Sequence, residues 1–140
     1  MALPIREQLL QELAGRASAQ RGLEMYDERD LPFTVLLEGE DQAATDDYDN
    51  ARVATPVTLA RAMKITGNKT DDWYEQGNVA LADLIKEVYV GGEDLNGLAD
   101  GIDYEGGSVE VITDGARGVM VQASFNIRWA FVHGDPFSQN

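Results

Sequence analysis

Residues Val119 to His133 read VMVQASFNIRWAFVH, and the alternation in this stretch decides the fold. The odd positions Val119, Val121, Ala123, Phe125, Ile127, Trp129 and Phe131 are apolar. The even positions Met120, Gln122, Ser124, Asn126, Arg128, Ala130 and Val132 are mostly polar or small. Successive side chains of a strand point to opposite faces, so the pattern predicts one strand with a core face and a wetter face. At ~3.3 Å per residue it spans roughly 45 Å, more than twice the usual strand length. That is long for a compact monomer. Upstream, Val109-Glu110-Val111-Ile112 starts a hairpin that turns through Thr113 to Gly118, where Asp114-Gly115 is a strong turn signal.

The elements that must cover and extend this hairpin are legible at helical and strand periods. From Pro4 to about Gln20, Ile5, Leu9, Leu10, Leu13, Ala14 and Ala17 recur at helical spacing, and Pro4 suits a first turn. Phe33 to Leu37, after Pro32, predicts a strand rich in residues that fit a pleated surface. A second alternating segment runs from Val53 to Ile65 with Pro56 inside it. Because proline has no N–H to give to a ladder, Pro56 predicts a sheet edge or a bulge there, open to a partner. A second helix is expected from about Asp72 to Val90, with Trp73, Gly77, Ala80, Leu81, Leu84, Ile85 and Val88 on one face and a Gly91-Gly92 stop. Gly91 to Gly107 reads as a mobile acidic loop partly tacked down by Leu95, Leu98 and Ile102. The order helix, strand, strand, helix, strand, strand predicts an α+β fold: a two-layer sandwich, a mostly antiparallel sheet with two helices packed on one face. The other face is left for water, a lumen or a subunit neighbour. At 140 residues without linker or repeat, the chain is expected to be a single domain over residues 1–140.

Twenty-five Asp and Glu against 11 Lys and Arg give a formal net charge of -14. A field of that sign repels phosphate backbones, which excludes ordinary DNA or RNA binding. It leaves a surface that nucleic acid slides past, or one that imitates nucleic acid. There is no cysteine, which removes thiolate chemistry, disulfides and Cys-type metal sites. No apolar run approaches the ~20 residues that span a bilayer. A protein without membrane attachment, made in the cytoplasm, is expected.

Catalysis finds little to stand on. Glu38, Glu40, Asp41, Asp46, Asp47 and Asp49 fall in a stretch without a basic residue and read as a solvated acidic loop. Asp46-Asp47-Tyr48-Asp49-Asn50 lacks the alternating oxygen ligands, central glycine and closing glutamate of a calcium loop. The glycines from Gly91 to Gly107 are not followed by the Lys-Ser/Thr of a phosphate-binding loop. His133 is the only histidine, so no second imidazole can complete a metal or relay site, and no nucleophile is evident beside His133-Gly134-Asp135. No cofactor, metal or enzymatic activity is expected. Arg128, on the polar row, reads either as an ordinary surface residue or as a partner for a carboxylate of a neighbouring subunit. Phe137, fixed by Pro136, is a candidate docking anchor in a short C-terminal tail at 133–140.

The same order of elements, and a closing strand that ends Ile127-Arg128-Trp129-Ala130-Phe131-Val132-His133-Gly134-Asp135-Pro136-Phe137, resembles the tail terminator (tail completion) proteins of long-tailed bacteriophages. In many of these the last strand runs into a Gly-Asp-Pro-aromatic ending. The resemblance implies a structural virion protein and no cofactor. It implies a homohexameric ring that caps the tail tube at the head-proximal end, stops its polymerisation and presents a surface for head-tail joining. Its partners would be its own copies, the tail tube protein and neck or head-completion proteins, with DNA passing through the lumen unbound. On that reading Arg128, His133, Asp135, Pro136 and Phe137 make subunit or tube contacts, and the acidic loop Glu38 to Asp49 faces solvent or lumen. Two other readings stand beside it: a neck or head-tail connector ring subunit, and an acidic DNA-mimic inhibitor of a host nuclease.

Overall fold

The computed structural model describes residues 2–22, 31–45, 49–113 and 118–139. In chain order the elements are α1 (Ile5–Ala17), β1 (Gln20–Arg21), β2 (Phe33–Glu38), β3 (Gln42–Ala43), β4 (Asn50–Lys64), α2 (Thr70–Tyr89), β5 (Gly101–Ile112) and β6 (Gly118–Val132). The sheet runs β1-β2-β4-β6-β5, with β3 also beside β4. Every pairing is antiparallel except that of β1 with β2. This is the expected two-layer α+β sandwich.

Its spine is the β4–β6 ladder, paired without a break from Asn50↔Val132 to Lys64↔Gly118. The odd positions of both strands form the core floor: Thr55, Val57 and Leu59 lie opposite Ile127, Phe125 and Ala123, all buried. Ile5, Leu9, Leu10 and Leu13 of α1 and Ala80, Leu84 and Val88 of α2 close over them in one contiguous cluster. Arg61, also on the odd face of β4, bonds both the C-terminal carbonyl of α1 and a carboxylate of α2, so the two helices share one side of the sheet.

Two expectations need correcting, for identifiable reasons. Pro56 sits in a central strand, not at an edge, but the bulge expected as the alternative is there: Gly39, Glu40 and Asp41 face only Thr55 and Pro56 between the β2 and β3 pairings. The Pro56 carbonyl accepts a hydrogen bond from the Gly39 N–H at 2.8 Å. A strand residue aims its N–H and C=O the same way, so the missing donor faces the interval between β2, which ends at Glu38↔Val57, and β3, which begins at Gln42↔Ala54. The β6 ladder loses nothing. Gly39 fits this close approach because it lacks a side chain: a Cβ there would lie 2.7 Å from the proline ring.

The glycine-rich stretch after α2 is the second. Residues 93–98 form a compact set of turns, with Leu95 fully buried and the Ala99 N–H bonded to the Asp94 carbonyl at 2.7 Å. From Gly101 onward the chain is already strand, and β5 starts eight residues before Val109. The glycines concealed it, together with a bulge between Tyr104 and Gly106 that breaks the alternation. The true sheet edge available along its length is therefore β5. Smaller differences are the start of α2 at Thr70 and the end of β2 at Glu38.

Candidate assembly surface

The side of the sheet away from the helices has no covering layer among the described residues. Strand alternation places Phe33, Val35 and Leu37 of β2 on it. From β4 come Arg52, Ala54, Pro56, Thr58, Ala60 and Ala62, and from β6 the even row Met120 to Val132. Most are half-buried by their strand neighbours alone, while Gln122 and Arg128 are exposed. The Thr58 and Ser124 hydroxyls hydrogen-bond across the centre at 3.2 Å. Towards one end, residues 97–100 and Gln139 border a polar hollow of about 190 Å³ whose floor includes Asn50, Arg52 and Ala130.

The charge of this face is its most specific property. Neither β4 nor β6 contains a single Asp or Glu, and the one acid of β2, Glu38, points to the helix side opposite Val57. In a chain with 25 acidic residues, three adjacent strands thus present a surface without a carboxylate. Acids return at its β5 border, where Asp103 and Glu110 lie opposite Asn126 and Met120 and Asp100, just before β5, pairs with Arg52. The signal was in the sequence: no Asp or Glu occurs from Asn50 to Thr70 or from Gly115 to Gly134.

Arg128 is on this face, but its carboxylate partner belongs to its own chain. Its Nε donates to Asp103 at 2.8 Å, and this bond, aided by the charges of Asp103, Asp100 and Glu93, holds the guanidinium above its usual range. Arg52 likewise pairs with Asp100 at 3.0 Å. Arg128 therefore tacks edge strand β5 to β6, with Gly101 directly beneath its guanidinium.

The acidic loop is less solvated than expected, because its partners come from far along the chain. Arg6 of α1 reaches Glu38 at 2.8 Å and Asp41 at 2.9 Å, and Arg21 of β1 joins Glu38 to Glu7, both at 2.6 Å. Asp41 also accepts the hydroxyl proton of buried Thr55, which accepts from the Trp129 indole N–H, both at 2.8 Å. A polar chain thus runs from the core at Trp129 to the surface at Glu7. Burial pushes the Glu38 carboxyl up, but the hydrogen bonds from Arg21 and Arg6 outweigh it and the group sits below its ordinary value. The Arg21 hydrogen bond, opposed in part by burial, lowers Glu7 too. Glu40 and Asp49 are exposed, and the Asp49 carbonyl accepts the His133 N–H. Asp46 and Asp47 lie outside the described residues.

The C-terminal segment is folded back on the domain. The Val132 N–H bonds the Ser138 carbonyl, the Asp135 carboxylate takes the Phe137 N–H, and the Gln139 amide donates to the Leu98 and Ala130 carbonyls. The Pro136 carbonyl accepts the Ile5 N–H at 3.0 Å, filling the first orphan donor of α1, which has no side-chain cap. His133, Asp135, Pro136 and Phe137 are brought together at this turn, and the Phe137 side stays 49% exposed. Arg128 stands apart from them, towards β5. Among the described residues no three potential metal ligands converge, and no helix is long and apolar enough to cross a membrane. Compared with known proteins, the chain matches no family model and no curated sequence.

Proposed function

We propose that this protein is a self-assembling structural subunit of a phage tail, a terminator-like ring that caps the tail tube and offers the surface for head joining. The observation that carries the reading is the uncovered, acid-free sheet face. A domain of this charge keeps its copies apart by mutual repulsion, and a broad face free of carboxylates is where repulsion is relieved. A face of three strands with apolar Phe33, Val35, Leu37 and Met120 among small residues suits a subunit contact better than water. Passage of DNA without retention is supported by the arginines. All six described ones, Arg6, Arg16, Arg21, Arg52, Arg61 and Arg128, are ion-paired within the chain. The inhibitor reading has weaker support, since seven described acids are occupied by those same arginines.

Light scattering over a concentration series, with negative-stain images, tests the proposal. Six chains of 15.3 kDa give a ring of about 92 kDa, closed by head-to-tail contacts. Rings of that mass are expected. A monomer at every concentration, both alone and beside the tail tube protein, sinks the reading.

A further inference from the structure

The sheet ends at β5, and the ladder registers decide which of its backbone groups point out of the sheet. The Pro56 carbonyl faces the β2 side, where it accepts from Gly39. A strand residue aims its N–H and C=O to one side, and its chain neighbours aim theirs to the other. The odd residues of β4 and β6 therefore bond each other, and the even residues of β6 bond β5. Gly106, Ser108, Glu110 and Ile112 lie opposite those even residues and belong to the ladder, whereas Gly107, Val109 and Val111 turn their N–H and C=O outward. The same count sends the Ile102 carbonyl outward, and there it accepts the Tyr89 hydroxyl at 3.0 Å. No described strand lies beyond β5, and Gly107, Ser108 and Glu110 are exposed. The side chains alternate too: Ser108 and Glu110 lie on the open face, Val109 and Val111 on the helix side, half-buried. Every charged residue of β5 is an acid, Asp103, Glu105 and Glu110, and among the described residues only Asp103 is ion-paired.

We propose that this edge takes up an extended basic segment of another protein as a further strand, along Gly106 to Ile112, past the bulge between Tyr104 and Gly106. The main chain of the guest bonds the outward groups of Gly107, Val109 and Val111, which supplies affinity without regard to sequence. Its side chains alternate: apolar beside Val109 and Val111, Lys or Arg beside Ser108 and Glu110. A second copy of this chain is the poorer occupant. Pairing β5 with β5 sets three acids against three, and like charges across a ladder destabilise it. The far end of the sheet offers only β1, two residues long. Charges on an edge guard it against its own copies. The same charges favour a guest of opposite sign, and a domain at -14 draws basic segments in from a distance. The inference does not rest on the phage reading or on the ring.

Backbone amide exchange on the full chain, with a labelled probe peptide, tests the proposal. The probe is a capped heptapeptide alternating Lys with Val. In the protein alone the amides of Gly107, Val109 and Val111 are expected to exchange fast, and those of Ser108, Glu110 and Ile112 slowly. The peptide should slow the first three by about tenfold or more. Its binding, read by fluorescence anisotropy, should weaken about tenfold between about 50 mM and about 500 mM salt. Glu105→Lys with Glu110→Lys, both at exposed positions, should weaken it by a similar factor. The same peptide N-methylated throughout keeps its charge but loses its donors, and should bind about tenfold more weakly or worse. Equal binding of the methylated peptide overturns strand addition and leaves an attraction of charge alone. Equal binding of a peptide with Glu in place of Lys overturns the basic guest. No binding at about 1 mM peptide overturns both. Slow exchange of Gly107, Val109 and Val111 in the protein alone, made fast by dilution, overturns the proposal in favour of a second copy on this edge.

Discussion

At the residue scale, arginine side chains do the joining in this acidic protein. Arg61 is the most consequential. Its side chain is only 11% exposed, and its guanidinium donates to the Thr34 hydroxyl at 2.7 Å, the Glu87 carboxylate at 2.6 Å and the Ala17 carbonyl at 3.0 Å. One planar fork therefore holds β2, α2 and the end of α1 against β4, a geometry a single ammonium cannot match. Arg61→Met leaves those partners without a donor and is expected to cost about 2–3 kcal/mol, read from urea unfolding. Arg61→Lys should recover less than half of that loss, and full recovery would show that charge alone suffices. The Glu7 and Glu38 carboxyls give a pH dependence of known sign. Both lie below their usual 4.5 in the folded chain, so their contribution is fully present above that value and fades as pH falls through their lowered folded values. Stability from these groups should be flat at neutral pH and decline below about pH 4.5, and Arg21→Met should make that decline shallower.

At the element scale, Gly77 shows how tightly α2 lies on the sheet. Alanine in a mid-helix position ordinarily gains about 0.5–1 kcal/mol over glycine. Here a Cβ would collide with Val109 and come within 2.9 Å of Val119, so overpacking of about 1–3 kcal/mol should win. Gly77→Ala is therefore expected to lower the unfolding midpoint, and a rise would mean that α2 floats above β5 and β6. Much of this architecture was readable beforehand. The period of α1, the core row of β6 and the antiparallel pairing of β5 with β6 each depend on neighbours a few residues apart, while the expected turn at Asp114-Gly115 lies outside the described residues. What escaped reading depends on distant ones. The place of Pro56 is set by where β2 stops and β3 starts, and the extent of β5 by a bulge that shifts its alternation. The partners of Glu38 and Asp41 lie 32 and 35 residues away in α1, so the acidic loop looked unpaired. The candidate site was legible in one half only: the polar row of β6 was visible, whereas its continuation across β4 and β2 needed the strand order. The C-terminal turn gave its residues but not its bond to Ile5.

At the scale of the whole molecule, charge separates the surfaces: carboxylates on α2, the loops and the β5 edge, and none across β2, β4 and β6 on the open side. With every described arginine already committed, few cations remain for phosphate. The protein should leave duplex DNA unshifted in a gel at about 50 mM salt, where counterion release favours binding most strongly. A salt-sensitive shift would instead reveal a basic path along the open face, centred on Arg52 and Arg128. The ladder of β4 and β6 carries a further consequence, a mechanical one. Fifteen residue pairs run side by side without interruption. Tension along the strands is shared by all these rungs together, while tension across them breaks the rungs in succession from one end. The domain is thus stiff in one direction and peelable in another, and a subunit set with these strands along the line of pull would hold where the same subunit turned by a right angle would unzip.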